Sequence, residues 1–430
     1  MLYLNKLLNA YILIILTTIN FFIVKNLYFT YSIIILLIIF LIINKNLESI
    51  VESIFISIFM LYLNNINIIN IIFILIIFKL LIIIIINRIK FNKSLIIYSI
   101  FIFFNVFNFL FLDDKKFATE GIIMYLMSFI LSFYVIQCKK SLINFYNIIK
   151  FIAFFNFLFI FIFYINNYRL LGNVYRWDIY FNGYSGLRSN GIGTFIISMI
   201  PFNLYFVINN KFNIVKIFNF ILILLSIITI FILSSRSAII TVIIVLLMLY
   251  LKCNFKYKFK IPIFFIVILA ILIGIDNIFN INLIANTLKR FITEGSINDF
   301  TSGRIELYKY AIDAFKNNPI LGVGVYNLGY FVYKYSIFLD CHNFILNYLA
   351  TTGILGTILF ISWLYVTVVS PFIKIKLKDF SNITIPFLFA AIINIIQSLF
   401  EPVITVSITF IIFSLYANMC MEVYNMEGKG

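Results

Sequence analysis

Apolar runs of about 17 to 25 residues recur from one end of this 430-residue chain to the other, and each is long enough to cross a hydrocarbon core of roughly 30 Å. In that solvent an unpaired backbone N–H or C=O costs several kcal/mol, so such runs have to close their hydrogen bonds internally, as helices. With 63% hydrophobic and 11% charged residues, the chain lies outside the soluble range and leaves no room for a separate soluble domain. The expected fold class is therefore an all-α polytopic membrane protein whose partner is the lipid bilayer, a single transmembrane domain over residues 1–430. Spans are expected near 8–24, 28–43, 47–63, 66–86, 94–112, 121–137, 148–164, 189–208, 215–234, 237–251, 261–276, 343–369, 382–398 and 402–420. That makes fourteen, or twelve if short neighbours merge into re-entrant hairpins. No small-residue cleavage site follows Met1–Val24, which reads as a retained first span.

A net charge of +16 invites a nucleic-acid reading, but the basic residues form short clusters between apolar runs and no continuous stripe, so no nucleic acid is expected. Loops left on the cytoplasmic side collect lysine and arginine. With the N-terminus inside, most lysines fall on that side, from Lys45 and the Lys139–Lys140 pair to Lys374, Lys376 and Lys378. The arginines do otherwise: Arg88 falls inside, while Arg169, Arg176, Arg188, Arg236, Arg290 and Arg304 fall outside. A guanidinium offers a planar fork of donors that grips phosphate or carboxylate, and the outer face accordingly reads as an anion-binding surface. Lys79, inside the fourth span, reads as a side chain snorkelling to the boundary. The four cysteines have no paired spacing and only Cys341 would face outward, so no disulfide framework is expected.

Two outer segments are long enough to carry structure. In 165–188 aromatics mix with arginines; Tyr164 and Tyr168 suit an interfacial belt, whereas Trp177 and Tyr180 could stack on a sugar ring. The second, 277–342, is a large extracytoplasmic loop that reads as a lid over the helix ends. Within it Ile305, Tyr308, Ile312 and Phe315 form a helical stripe, Ser302 or Gly303 can cap the start, and Pro319 follows the end, which predicts an amphipathic helix over 304–317. Arg304 in its first turn opposes the helix dipole, a placement that suits a bound anion nearby.

Familiar catalytic signatures are absent. There is no phosphate-binding Gly-x-x-x-x-Gly-Lys-Ser/Thr loop, and Gly322-Val323-Gly324 lacks the context of a dinucleotide site and suits a tight turn. One histidine without a carboxylate cluster builds no zinc site, and Asp113–Asp114 reads as a solvated turn; neither metal nor cofactor is expected. What remains is a set of arginines and His342, the only histidine, at the start of a span beside Asn343. An imidazole accepts a proton near neutral pH, so His342 could activate a hydroxyl while guanidiniums offset charge on a leaving phosphate.

The series Ser234-Ser235-Arg236-Ser237-Ala238, Ser302-Gly303-Arg304, Asn318-Pro319-Ile320-Leu321-Gly322-Val323-Gly324 and His342-Asn343, with Gly353-Ile354-Leu355-Gly356 after it, resembles the O-antigen ligase and polymerase family over residues 188–370. The resemblance rests on order and spacing. It implies an integral-membrane glycosyltransferase of GT-C-like architecture, metal-independent and inverting, in the bacterial cytoplasmic (inner) membrane with its active site on the extracytoplasmic face. The implied donor is an undecaprenyl-diphosphate-linked oligosaccharide, and the acceptor a glycan or lipid-glycan. Arg236 and Arg304 would bind the diphosphate and His342 would assist the acceptor hydroxyl, making these three the catalytic set. Arg188, Arg290, Asn343, Gly322, Gly324, Trp177 and Glu401 are the further expected substrate contacts; Glu401 would border the lipid groove with Pro402 and either hydrogen-bond an acceptor sugar or pair with an arginine. The leading expectation is a repeat-unit polymerase; a ligase acting on a lipid or wall anchor and a flippase of lipid-linked sugars are the alternatives.

Overall fold

A computed structural model describes residues 2–20, 27–44, 46–64, 69–86, 91–138, 140–167, 180–181, 184–185, 189–209, 213–252, 260–279, 284–285, 287, 303–375 and 382–428. Helices stand at all fourteen expected places, and the protein is an all-α polytopic membrane protein. The first seven are α1 (Leu2–Ile19), α2 (Leu27–Ile43), α3 (Leu47–Asn64), α4 (Ile69–Ile86), α5 (Lys93–Leu110), α6 (Lys116–Gln137) and α7 (Leu142–Asn167). Then come α8 (Ser189–Asn209), α9 (Ile214–Ile232), α10 (Arg236–Lys252) and α11 (Lys260–Phe279). After the loop helices α12 (Arg304–Asn317) and α13 (Leu328–Tyr333), the chain finishes with α14 (Phe344–Lys374), α15 (Thr384–Gln397) and α16 (Ser407–Glu427). Among the described residues the only β pairing is a two-residue ladder, Tyr180–Phe181 with Tyr184–Ser185.

Six of the described helices are long and apolar enough to cross a membrane by length and composition: α5, α6, α7, α8, α9 and α14. The span expected at 382–398 is occupied by the shortest of the fourteen helices. Its helix, α15, has 14 residues, about 21 Å at 1.5 Å per residue, short of a hydrocarbon core of roughly 30 Å. The chain turns at Ser398 because the turn 398–406 is itself a packed part of the bundle end, with Ser398, Glu401, Val403, Ile404 and Thr405 all buried.

Apolar packing alone does not select one helix arrangement in lipid, where tails are as apolar as leucine, and side-chain hydrogen bonds supply part of the selection. Asn156 on α7 donates to Asn203 on α8 (2.7 Å), which donates to Asn219 on α9 (2.9 Å). On the other side Asn418 of α16 donates to Ser132 of α6 (2.7 Å). Within α14 the rings of Tyr348 and Phe360 stack at 4.0 Å, and Tyr98 of α5 stacks on Trp363 of α14 at 4.8 Å, which joins α14 to α5. Lys79 is placed where the expectation of snorkelling gains a partner: its ammonium donates to the Asn44 carbonyl just beyond α2.

The loop helix α12 spans the expected 304–317, but its inward face shares only Tyr308 with the expected stripe. Leu307, Tyr308, Ala311 and Ala314 turn inward, whereas Ile312 is 41% exposed. The two alanines give α12 a close approach to α14, which larger side chains at those positions would prevent. Nor is the described part of the loop a free lid. Residues 319–324 insert into a break in α14 at Gly353, whose backbone (φ 63°, ψ −170°) is non-helical. Val323 N–H donates to Ala350 O, Gly324 N–H to Thr351 O and Ile354 N–H to Pro319 O, each at 2.9 Å. Asn108 of α5 also donates to Leu321 O (2.8 Å). The carbonyls released by the helix break are thus paired by the loop, and the loop is built into the bundle.

Between α8, α9, α10 and α15 runs an apolar cleft lined by residues such as Ile197, Pro201, Val242, Leu246, Phe389 and Ile393. Val242 and Ile393 lie only about 9 Å and about 6 Å along their helices from Arg236 and Gln397, the ends nearest the site described next.

Candidate active site

Glu401 is the point on which the polar end of the bundle converges. Its side chain is 7% exposed, and a buried carboxylate must find donors or lose its charge. Oε1 accepts from Arg304 Nη2 (2.6 Å), Asn190 Nδ2 (2.8 Å) and Ser237 Oγ (3.3 Å). Oε2 lies 3.5 Å from His342 Nδ1. Four segments, α8, α10, the start of α12 and the 340–343 turn, therefore meet at one carboxylate. Burial pushes its ionisation upward, yet the His342 imidazole and the Arg304 guanidinium outweigh that and hold it below the usual carboxylate range.

Each partner is set by local structure. Gly303 caps α12 in the left-handed region (φ 78°), so the chain swings Arg304 into the first turn; Ser302 lies outside the described residues. Ser237 is held by Gln397 Nε2 (3.0 Å), whose Oε1 accepts from Thr241 (2.7 Å). Arg236 opens α10 half-buried, in sequence between Ser235 and Ser237, whose hydroxyls are 3.3 Å apart. His342 is itself in the left-handed region (φ 57°), which costs a residue with a Cβ about 1–2 kcal/mol. The buried Asp340 offsets this by accepting the His342 backbone N–H at 2.7 Å. Burial raises the Asp340 ionisation, against the opposing contributions of Thr405 and His342, and the nearby Glu401 charge adds to the rise. The imidazole is 34% exposed, in contrast to the carboxylate behind it. With Nδ1 turned to Glu401, Nε2 is the nitrogen left to meet a substrate.

The expected site residues divide three ways. His342, Arg304 and Glu401 are brought together, with Arg236 at the adjoining helix start. Asn343, expected as a substrate contact, has both polar ends engaged in structure: Oδ1 caps α14 by accepting from Leu346 N–H (3.2 Å), and Nδ2 donates to Leu399 O (3.4 Å). With the Phe344 N–H to Ser398 O bond (2.9 Å) it straps the histidine to the Glu401 turn. Gly322 and Gly324 are likewise accounted for by packing, the first against the Thr351 and Gly353 backbone and the second against Leu112. Arg188, Arg290 and Trp177 lie outside the described residues. Sequence reasoning assigned no role to Asp340, Asn190, Ser237 or Gln397. Only Ser237, inside the quoted Ser-Arg-Ser turn, and Asp340, two residues before the sole histidine, left a signal that could have been followed.

Compared with known families, residues 221–361 match the O-antigen ligase family model, and the match supports the O-antigen ligase and polymerase family. No curated protein matches the chain. The matched segment includes Arg236, Arg304 and His342 and stops before Glu401.

Proposed function

We propose, for a membrane protein that carries the O-antigen ligase match over residues 221–361, that it transfers an oligosaccharide from undecaprenyl diphosphate to the hydroxyl of another lipid-linked repeat unit, as a polysaccharide polymerase. The family acts on lipid-linked glycans as a glycosyltransferase-type enzyme; the polymerase reading, the undecaprenyl carrier and the extracytoplasmic face are our own. The single observation that carries the reading is that Glu401 holds a guanidinium, Arg304, and the only imidazole, His342, on one carboxylate.

The chemistry follows from that placement. The acceptor oxygen attacks the anomeric carbon and forms the new C–O bond as the bond from that carbon to the diphosphate oxygen breaks. The acceptor proton passes to His342 Nε2, and the electron pair leaves with the diphosphate, whose charge Arg304 and Arg236 offset. A single displacement inverts the anomeric centre. The apolar cleft beside Arg236 suits the carrier chain, since it begins about 9 Å below that residue along α10. Arg188 and Arg290 would add to the phosphate contacts and Trp177 to sugar stacking.

The test is to incubate the purified protein in vesicles with a lipid-linked oligosaccharide and no other acceptor. A ladder of lengthening products supports the polymerase. An inert mixture rescued by a lipid or wall acceptor shows a ligase, and unaltered glycan transfer by both His342→Ala and Arg304→Lys removes the catalytic assignment.

A further inference from the structure

The carboxylate that holds Arg304 is the same one that faces His342, and its two oxygens are not equally committed. Oε1 carries Arg304, Asn190 and Ser237, all within 3.3 Å. Oε2 has His342 at 3.5 Å, beyond the about 2.9 Å of a good N–H···O bond. Arg304 is thus seated on an internal anion while the histidine is only loosely held. Resting on the reading of Arg304 as a diphosphate contact, we propose that Glu401 is a positioning residue that holds the place of the donor diphosphate. It occupies Arg304 before the donor arrives, yields it to the diphosphate, and then closes on His342 Nδ1.

The exchange is favoured because a diphosphate carries more charge than one carboxylate and offers several oxygens to a guanidinium fork, of which Glu401 engages one nitrogen. The carboxylate does not swing free when Arg304 leaves, since Asn190 and Ser237 still hold Oε1. Having lost its fixed cation, it finds its remaining charge-assisted donor in the imidazole. The Nδ1–H bond to Glu401 tightens, which orients the ring and strengthens Nε2 as a proton acceptor. Donor binding and readiness of the base are thereby coupled through one side chain, and an unloaded site keeps its base slack.

The measurement uses full-length protein in lipid nanodiscs. The chain has one histidine, so ring-labelled histidine gives a single set of imidazole resonances. Added farnesyl diphosphate, a short donor headgroup without sugar, should move the Nδ1–H proton downfield in the parent protein and leave it in place in Glu401→Gln. Glu401→Gln keeps an oxygen for Asn190 and Ser237, so it should lower the donor KM several-fold, by removing the competing anion. The same variant should lower kcat by at least about tenfold, the scale on which an outer partner of a functional histidine acts. Glu401→Asp, which keeps the charge but draws it back, should fall between the two. A donor KM that rises in Glu401→Gln, or an equal ring shift in Glu401→Gln and parent, overturns the exchange. Loss of transfer in His342→Ala alongside either of those results leaves the catalytic reading standing while this inference fails.

Discussion

Gly322 and Gly353 meet backbone to backbone: a Cβ placed on Gly322 would lie 2.5 Å from the Gly353 nitrogen, and both residues hold positive φ, 71° and 63°. This contact seats the 319–324 loop, midway between Arg304 and His342, in the broken α14.

Replacing Gly353 with alanine is expected to cost about 3 kcal/mol or more, because φ 63° with ψ −170° is a region open essentially to glycine alone and strained by about 1–3 kcal/mol for other residues, and the alanine methyl runs into the Ile320 carbonyl. Gly274 in α11 is the control, since nothing lies within 4 Å of its Cβ position; alanine there should gain up to about 1 kcal/mol of helix propensity. Thermal denaturation in detergent compares the two, and equal midpoints would show that the clamp does not matter.

Transfer kinetics should separate the roles of the cations and the imidazole. His342→Ala is expected to lower kcat by about 10²- to 10⁴-fold, the usual contribution of a general base. Arg304→Lys and Arg236→Lys keep the charge but lose the fork, and each should cost about 10- to 100-fold in kcat/KM. A lysine variant with parent activity would show that point charge suffices at that position.

Truncation of Glu401 to alanine should also destabilise the fold, by about 2 kcal/mol. The figure is below the about 3–5 kcal/mol of a fully buried pair because Arg304 keeps 21% exposure and can recover some water. Chemical denaturation of Glu401→Ala against Arg304→Ala measures it, and a neutral Glu401→Ala would mean that the network carries no stability.

The two carboxyls of the site predict opposite pH dependences. Glu401 is held below its ordinary value in the folded protein, so its contribution is present above the unfolded value and is lost as pH falls through the folded one. Asp340 is raised by burial, so its contribution is present at low pH and is lost as pH rises through the folded value. Glu401→Gln should therefore flatten the acid limb of the stability curve. For Asp340→Asn, the stability difference from the parent should become more favourable as pH rises, and a difference constant with pH would contradict the raised value.

Filling the apolar cleft should discriminate by chain length. Val242→Trp or Ile393→Trp is expected to raise the KM for a long-chain lipid donor several-fold while changing a short-chain donor little, because only the long chain needs the space between α10 and α15. Equal effects on both donors would place the carrier chain elsewhere.

Local pattern alone determined the helical class, the places of the fourteen apolar segments and the limits of α12, since the run lengths, Gly303 and Pro319 act within a few residues. It also singled out His342, Arg304, Arg236 and Glu401 as residue types out of place in an apolar chain. The inward face of α12 escaped it, because small alanines matter only when a second helix comes close. So did the role of Gly353, whose positive φ serves a loop about thirty residues earlier in the chain. The end of α15 was legible to within one residue, 398 against Gln397, but that the turn beyond it is buried was not. Which cation Glu401 would hold, and that it would hold the histidine as well, was decided only by tertiary structure. A buried carboxylate takes the donors that packing brings to it, and here they come from residues 190, 237, 304 and 342, far apart along the chain.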